Sequence, residues 1–387
     1  MIESSVHVSS KLPKVGATIF STMSALAKEN NAINLSQGFP EFGPDQKLLS
    51  YYKEALDGPF QQYAPRNGAE QLLEEISNYH HKQFGVKYSS DSEILITAGA
   101  TQAIFTTISA LLKEGDEAII FTPAYDCYEP AIELVGGKVN YIKLKADDGF
   151  KIDWEEVKKT IKRKTKLIVL NSPHNPTGAI ISQEDVDQLK KLVENSDIMI
   201  LSDEVYANIV FDGQSHISLS QDEELRSRSI IVSSFGKNLH CTGWKMGYAL
   251  APKELMNEIL KVHQYNVFSV NHPAQIAIAN YMSQVGFEDL TARFESKRNL
   301  FLNNLDSDKY KISAAQGTYF QLLDMSKFMK DGEDDVAFAK RLTIENHIAA
   351  IPVSVFYHNA PETKFLRFCF AKEEETILRS CEALNNL

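Results

Sequence analysis

The sequence predicts an α/β protein: a large domain with a mostly parallel central sheet flanked by helices, carrying a smaller α+β domain. Three observations predict it. From about residue 90, strand-like and helix-like stretches alternate. The strand-like stretches show little polar alternation, as expected when helices cover both faces of a sheet. The length, 387 residues, suits two domains or one large one.

Residues 1–45 read as an N-terminal arm that joins the small domain, with a short amphipathic helix over Ile19 to Glu29. The large domain is expected over 46–280 and the small one over 281–387. After the proline turn at Pro65 a helix starts near Ala69. Strands are expected at Glu93 to Ala98, Glu117 to Thr122, Val139 to Lys143, Leu167 to Asn171 and Ile198 to Asp203. The helices between them are Gly99 to about Lys113, Asp126 to Val135, Trp154 to Lys162 and Gln183 to Glu194. Ile230 to Val232 is a further buried strand, and Ala251 to about Val270 reads as a helix leading out of the large domain. In such a sheet, ligands gather at the carboxyl ends of the strands.

Composition bounds the function. Hydrophobic residues at 43% and charged residues at 24% describe an ordinary globular protein, and a net charge of −11 argues against nucleic acid or anionic membrane as partner. Cys127, Cys241, Cys369 and Cys381 show neither disulfide nor zinc-ligand spacing, and none of the ten histidines falls into a metal-binding pattern. The N-terminus lacks a signal-peptide core and no apolar run approaches membrane-spanning length, so a cytoplasmic protein is expected.

The organising stretch is Ser229 to Leu250. Its strand breaks into Ser233-Ser234-Phe235-Gly236-Lys237, which should place Lys237 on a tight turn facing a cleft, where poor hydration favours the nucleophilic neutral amine. A surface lysine is the plain alternative. A phosphate loop would need Ser or Thr after Lys237, where Asn238 stands. A Ser-x-x-Lys acyl-transfer site, with Ser234 as nucleophile, would bring Ser-Asp-Asn and Lys-Thr-Gly elements that this chain lacks.

Other candidates lie at strand ends. Gly99-Ala100-Thr101 opens a helix, whose free N–H groups suit a phosphate. Asp203, at the end of an apolar run, needs a partner, either a helix N-terminus or a bound cation. Asn171 to Gly178 is a turn-rich loop. Tyr125 sits beside a strand-end proline turn. Arg367, inside Phe365 to Phe370, needs a buried acid or a ligand anion.

From Asn34-Leu35-Ser36-Gln37-Gly38-Phe39-Pro40, through Asp203-Glu204-Val205-Tyr206 and Ser233 to Tyr248, to Leu366-Arg367-Phe368, the chain resembles the class I aminotransferases. These are fold type I enzymes that use pyridoxal 5′-phosphate. It is most similar to the bacterial methionine aminotransferase branch, next to the kynurenine aminotransferase and glutamine transaminase branch.

The resemblance implies that Lys237 holds the cofactor as a Schiff base and then moves the substrate α-proton as base and acid. Asp203 would pair with the ring nitrogen, and Tyr206 and Asn175 with its phenolic oxygen. Tyr125 would stack on the ring. Ala100, Thr101, Ser234 and Lys245 would hold the phosphate, with Lys245 where the family usually has arginine. Gly38, Asn175 and Arg367 would bind the substrate, with Arg367 on its α-carboxylate. Tyr63 would reach the phosphate of a neighbouring subunit, implying a homodimer. His174 and His240 would be supporting or structural.

The implied reaction is a ping-pong transfer from an amino acid to a 2-oxo acid, with methionine favoured over glutamine and aromatic amino acids. Ser269 stands where animal kynurenine enzymes tend to have histidine, which weakens kynurenine as the donor. Alternatives are a carbon–sulfur β-lyase on the same fold, a kynurenine aminotransferase, and a non-catalytic pyridoxal-phosphate-binding regulatory module. The last would lack Lys237 or Arg367, or carry a fused DNA-binding domain.

Overall fold

The computed structural model describes residues 6, 8–13, 15–287 and 290–387. Parts of the expected arm (residues 1–5, 7 and 14), and residues 288 and 289 near the expected domain boundary, lie outside the described residues.

In chain order the strands are β1 (Ile33–Asn34), β2 (Ile94–Thr97), β3 (Glu117–Thr122), β4 (Lys138–Lys143), β5 (Thr165–Asn171), β6 (Met199–Asp203), β7 (Ser229–Ser234) and β8 (Gly247–Leu250), followed by β9 (Phe320–Asp324), β10 (Ile348–Ala349), β11 (Ile351–Pro352) and β12 (Phe365–Cys369). Seven of them form the central sheet in the order β2-β8-β7-β6-β5-β3-β4. All neighbours run parallel except β8, which is antiparallel to both β2 and β7.

The strands look uniformly apolar because each supplies two cores. Ile94, Ile96, Ile119, Phe121, Ile168, Leu170 and Ile231 face one side, against the helices Glu70–Phe84, Gln183–Val193 and His272–Gln284. The alternate residues Leu95, Ala118, Ile120, Leu167, Val169, Ile230 and Val232 face the other, against Ala100–Leu111, Tyr128–Leu134 and Lys253–Asn266. With period 2 and both faces buried, the inner strands leave little room for polar residues in their middles, while the edge strand β4 carries Asn140.

A third core lies beside the sheet. It joins the antiparallel strands β11-β12-β9 to the helices Leu290–Asn303, Asp335–Glu345 and Glu374–Asn385. The arm helix, Ile19–Glu29 as expected, buries Met23 and Ala27, and β1 pairs in parallel with β10.

Two expectations need correction. The helix read over Ala251 to Val270 is shorter: it runs Lys253–Asn266 and breaks at Phe268, whose φ is 67°. A new helix, His272–Gln284, then starts under an Asn271 cap, with Pro273 in its first turn. The helix expected from Asp126 begins at Tyr128 instead, because the Ala124 N–H is taken by the Phe356 carbonyl at 2.7 Å and the chain turns only afterwards. Lys158, Lys159, Lys162, Arg163 and Lys164, just before β5, are exposed. Among the described residues, no helix is long and apolar enough to cross a membrane.

Candidate functional site

The site lies at the carboxyl ends of β5, β6 and β7, where register sets Asn171 beside Asp203 and Asp203 beside Val232. A cavity of about 440 Å³ opens there. Of the sequence candidates, Gly38, Ala100, Thr101, Tyr125, Asn175, Asp203, Tyr206, Ser234, Lys237, Lys245 and Arg367 line it. Tyr63 does not: it is 79% exposed, its ring edge-on to Phe268 at 5.2 Å.

Lys237 follows β7, but in one helical turn, Phe235–Asn238, rather than on a tight turn. The turn is closed by the Leu239 N–H bonding to the Phe235 carbonyl at 2.8 Å, and its start is tied by the Phe235 N–H to the Met246 carbonyl. The lysine Nζ donates to the Gly38 carbonyl at 2.8 Å and lies 5.7 Å from the Tyr206 ring centre. Burial pushes its amine down to about 8, helped by the Arg367 and Lys245 charges and opposed by Cys369 and Asp203.

Asp203 is buried. Its carboxylate accepts from the Tyr128 hydroxyl at 2.6 Å and from the Val205 N–H at 3.3 Å, and it forms no ion pair among the described residues. Burial raises the carboxyl to about 6, with the Tyr128 and Val205 bonds and Lys237 pulling it back. A cation placed against it would restore the ionised form. Asn171 braces this corner: its side chain donates to the Asp203 carbonyl and accepts the Asn175 N–H, each at 2.8 Å.

At the opposite end, the helix Ala100–Leu111 begins at Gly99 with no side-chain cap, leaving its first N–H groups open. Gly99 has φ +78°, and a Cβ there would stand 3.3 Å from the Lys245 Nζ. Gly247 lets β8 press against this turn, since a Cβ would lie 2.7 Å from the Ser233 carbonyl and 2.9 Å from the Ala100 nitrogen. Open N–H groups, Ser234 and the Lys245 ammonium therefore meet as a cradle for an anion. The Thr101 and Tyr125 hydroxyls lie 3.3 Å apart at its rim.

Arg367, on the central strand β12, is 1% exposed. It donates to the Asn175 side chain at 2.7 Å and to the Ser36 carbonyl at 3.2 Å, and its guanidinium lies 3.9 Å from the Phe320 ring centre. No carboxylate pairs with it among the described residues, and its Nε–H has no partner. A buried guanidinium with an idle donor beside a cavity suits a ligand carboxylate.

Some residues of the site escaped the sequence reading. Phe20 and Phe320 line the cavity, and Tyr128 and Tyr319 stand behind it, bonded to Asp203 and to the Gly38 carbonyl. Phe20, Tyr319 and Phe320 look like ordinary core aromatics, and only the fold brings them here. His174 is buried, bonded to Thr177 at 2.7 Å and pushed down to about 4 by burial. His240 packs edge-on against Phe42 and Phe294, so both histidines hold structure.

An anion cradle, a buried acid awaiting a cation, a depressed lysine between them and an idle arginine fit a phosphorylated pyridine aldehyde and an amino acid. The family model for aminotransferase class I and II matches residues 30–384, and the chain belongs to that family. It is an aminotransferase of the pyridoxal 5′-phosphate-dependent fold type I class. It is 42% identical to a methionine aminotransferase from Escherichia coli K12, over 98% of both chains. It is 32% identical to kynurenine–oxoglutarate transaminase 1 from Mus musculus, over 91% of both. A crystal structure from E. coli, described as identifying a methionine aminotransferase function, superposes with a TM-score of 0.96 at 42% identity, covering 99% of this chain and 100% of that one. N-succinyldiaminopimelate aminotransferase from Mycobacterium tuberculosis gives 0.93 at 30% identity, covering 98% and 100%.

Proposed function

We propose that the chain moves an amino group from methionine, its favoured donor, to a 2-oxo acid, with Lys237 as the residue that binds the cofactor and shuttles the proton. The observation that carries the roles is the buried Lys237 amine, pushed down to about 8, set in one cavity with Asp203 and Arg367.

When bound, pyridoxal phosphate supplies an aldehyde that takes up the amino group and a ring that accepts the α-carbon's electrons. Asp203, held by Tyr128 and the Val205 N–H, keeps a proton on the ring nitrogen. Tyr206 and Asn175 would hold the phenolic oxygen, and Tyr125 would pack on the ring. Ala100, Thr101, Ser234 and Lys245 hold the phosphate. Arg367 fixes the α-carboxylate, with Asn175 and the Gly38 segment closing around the substrate. The Lys237 amine, when not bonded to the cofactor, would be placed to take up the α-proton and to return it, acting as base and then acid.

Methionine is favoured by the 42% likeness over nearly the whole chain and by the cavity's charge inventory. Its three cations, Lys237, Lys245 and Arg367, are all committed, so no cation is left for a side-chain carboxylate, while Phe20, Phe39 and Phe320 offer apolar surface.

The exposed Tyr63 and Phe268 pair suits a homodimer in which Tyr63 completes the partner's phosphate site. The same reading divides the chain into arm (1–45), large domain (46–280) and small domain (281–387), in line with the separate cores. It also places the protein in the reducing cytoplasm, in keeping with four free cysteines.

The test is a panel of amino acids assayed against several 2-oxo acids. Methionine should lead and turnover should require an acceptor. Pyruvate released from a sulfur amino acid without acceptor would instead indicate a β-lyase, and a lead for kynurenine or an acidic donor would overturn the preference.

A further inference from the structure

Between Ser36 and Glu41 the arm passes along the cavity, which Gln37, Gly38 and Phe39 line. The ends of this segment are fixed. The Cys369 N–H bonds to the Leu35 carbonyl and the Glu41 N–H to the Ala371 carbonyl, each at 2.9 Å, and Arg367 holds the Ser36 carbonyl. The Gln37 side chain is tied back to the Phe20 carbonyl and the Ser24 hydroxyl. Within residues 37–40, the backbone hydrogen bonds described are two, both on the Gly38 carbonyl: one from the Lys237 Nζ and one from the Tyr319 hydroxyl, each 2.8 Å long.

The two donors differ in permanence. A carbonyl oxygen has two lone pairs and both are used here. Tyr319 is fully buried, edge-on to Tyr206 at 5.3 Å and tilted on Phe294 at 5.4 Å, and its backbone carbonyl is held by the Phe370 N–H. Its hydroxyl sits between the Gly38 carbonyl and the Tyr206 side chain, with which it also shares a hydrogen bond. Lys237 is the residue that the proposed function commits to the cofactor. Once bonded to the aldehyde carbon, that nitrogen would keep at most one hydrogen and would be drawn toward the cofactor, so the Gly38 carbonyl would lose this donor.

We propose that Tyr319 is a positioning residue whose hydroxyl holds the Gly38 carbonyl, and with it the segment 36–41, over the site whenever Lys237 is bonded to the cofactor. The inference rests on the proposed role of Lys237. In the resting enzyme Tyr319 is the standing anchor. When the substrate displaces Lys237 from the cofactor, the freed amine can rejoin Gly38 as a second donor, so the segment is held hardest while the substrate is in place.

The test is hydrogen exchange at the Glu41 amide, whose N–H is bonded to the Ala371 carbonyl at the end of the segment, in wild type, Tyr319→Phe, Lys237→Ala and the double variant. In cofactor-free protein either single variant keeps one donor and should exchange within about twofold of wild type, while the double variant should be about five- to tenfold faster. In cofactor-loaded protein Tyr319→Phe alone should reach the faster rate. A double variant no faster than the singles overturns the proposal. So does a Tyr319→Phe protein that is accelerated equally with and without cofactor, which would make the ring mere packing. Mass analysis of borohydride-treated protein separates the two layers: no adduct on Lys237 overturns the functional reading and this inference with it, whereas an adduct with no loaded-state acceleration overturns this inference alone.

Discussion

Arg367→Met should cost the enzyme most of its grip on amino acids, along with the bonds that Arg367 makes to Asn175 and the Ser36 carbonyl. The guanidinium is 1% exposed, with one idle Nε–H and no anion of its own. A substrate α-carboxylate placed against it makes two charge-assisted hydrogen bonds, each contributing about 1.5–3 kcal/mol. Truncating one partner of such a desolvated pair costs about 2–5 kcal/mol. Taking about 3–5 kcal/mol, kcat/KM should fall by about 10² to 10³·⁵. The contact exists before and during the reaction, so most of the loss should appear in KM. Arg367→Lys keeps the charge without the fork and should lose about 10- to 50-fold. The assay is initial-rate kinetics with methionine beside an amine of the same side chain lacking the carboxylate, scored as single-turnover bleaching of the bound cofactor. The amine should react equally with wild type and variant. A drop of less than about tenfold for methionine, or an equal drop for both compounds, would refute the reasoning.

Cofactor capture should follow the Lys237 amine: with its value near 8, about a tenth is neutral at pH 7, against about one part in 3,000 for an ordinary lysine of 10.5. Stopped-flow absorbance on mixing cofactor-free protein with pyridoxal phosphate should therefore show a rate that rises to about pH 8 and levels off, and a rise continuing to pH 10 would contradict it. Asp203→Asn should keep the bound colour but lower turnover by about 10²–10³-fold or more, as for loss of a single electrostatic stabiliser. In cofactor-free protein the Asp203 carboxyl is raised to about 6 from 3.8, so its contribution is full below pH 4 and lost as pH rises through 6, a swing of about 3 kcal/mol. Denaturation curves of wild type and Asp203→Asn should thus diverge between pH 4 and pH 7 in favour of the variant, and a constant offset would count against burial as the cause. Mixing Tyr63→Ala with Lys237→Ala subunits should restore about a quarter of the wild-type sites, half of the dimers being mixed with one intact site each. Recovery no greater than the sum of the two homodimers would remove Tyr63 from the partner's site.

Much of the sheet was readable because helix and strand periods differ and because Gly, Pro and Asn punctuate the strand ends. Asp203 and Lys237 stood out as polar groups stranded at the ends of apolar runs, and the fold brings them into one cavity. Register between strands supplied what spacing could not: Asn171 and Asp203 are 32 residues apart, yet share a rank in the sheet. The aromatic residues were harder to read. Tyr319 meets Gly38 and Phe20 meets Arg367 across roughly 280 and 350 residues, and no local pattern marks such a tyrosine as different from core. The break at Phe268 was missed because Val267 and Val270 continue an apolar pattern, while the left-handed residue that ends the helix is held by its own N–H bonding to the His263 carbonyl at 2.8 Å.

The central claim is that one buried amine carries the cofactor. Purified protein loaded with pyridoxal phosphate, treated with borohydride and digested, should yield a single peptide bearing the reduced cofactor, with the tag on Lys237. A colourless protein, or a tag carried by any other lysine while Lys237 is recovered unmodified, would contradict the account.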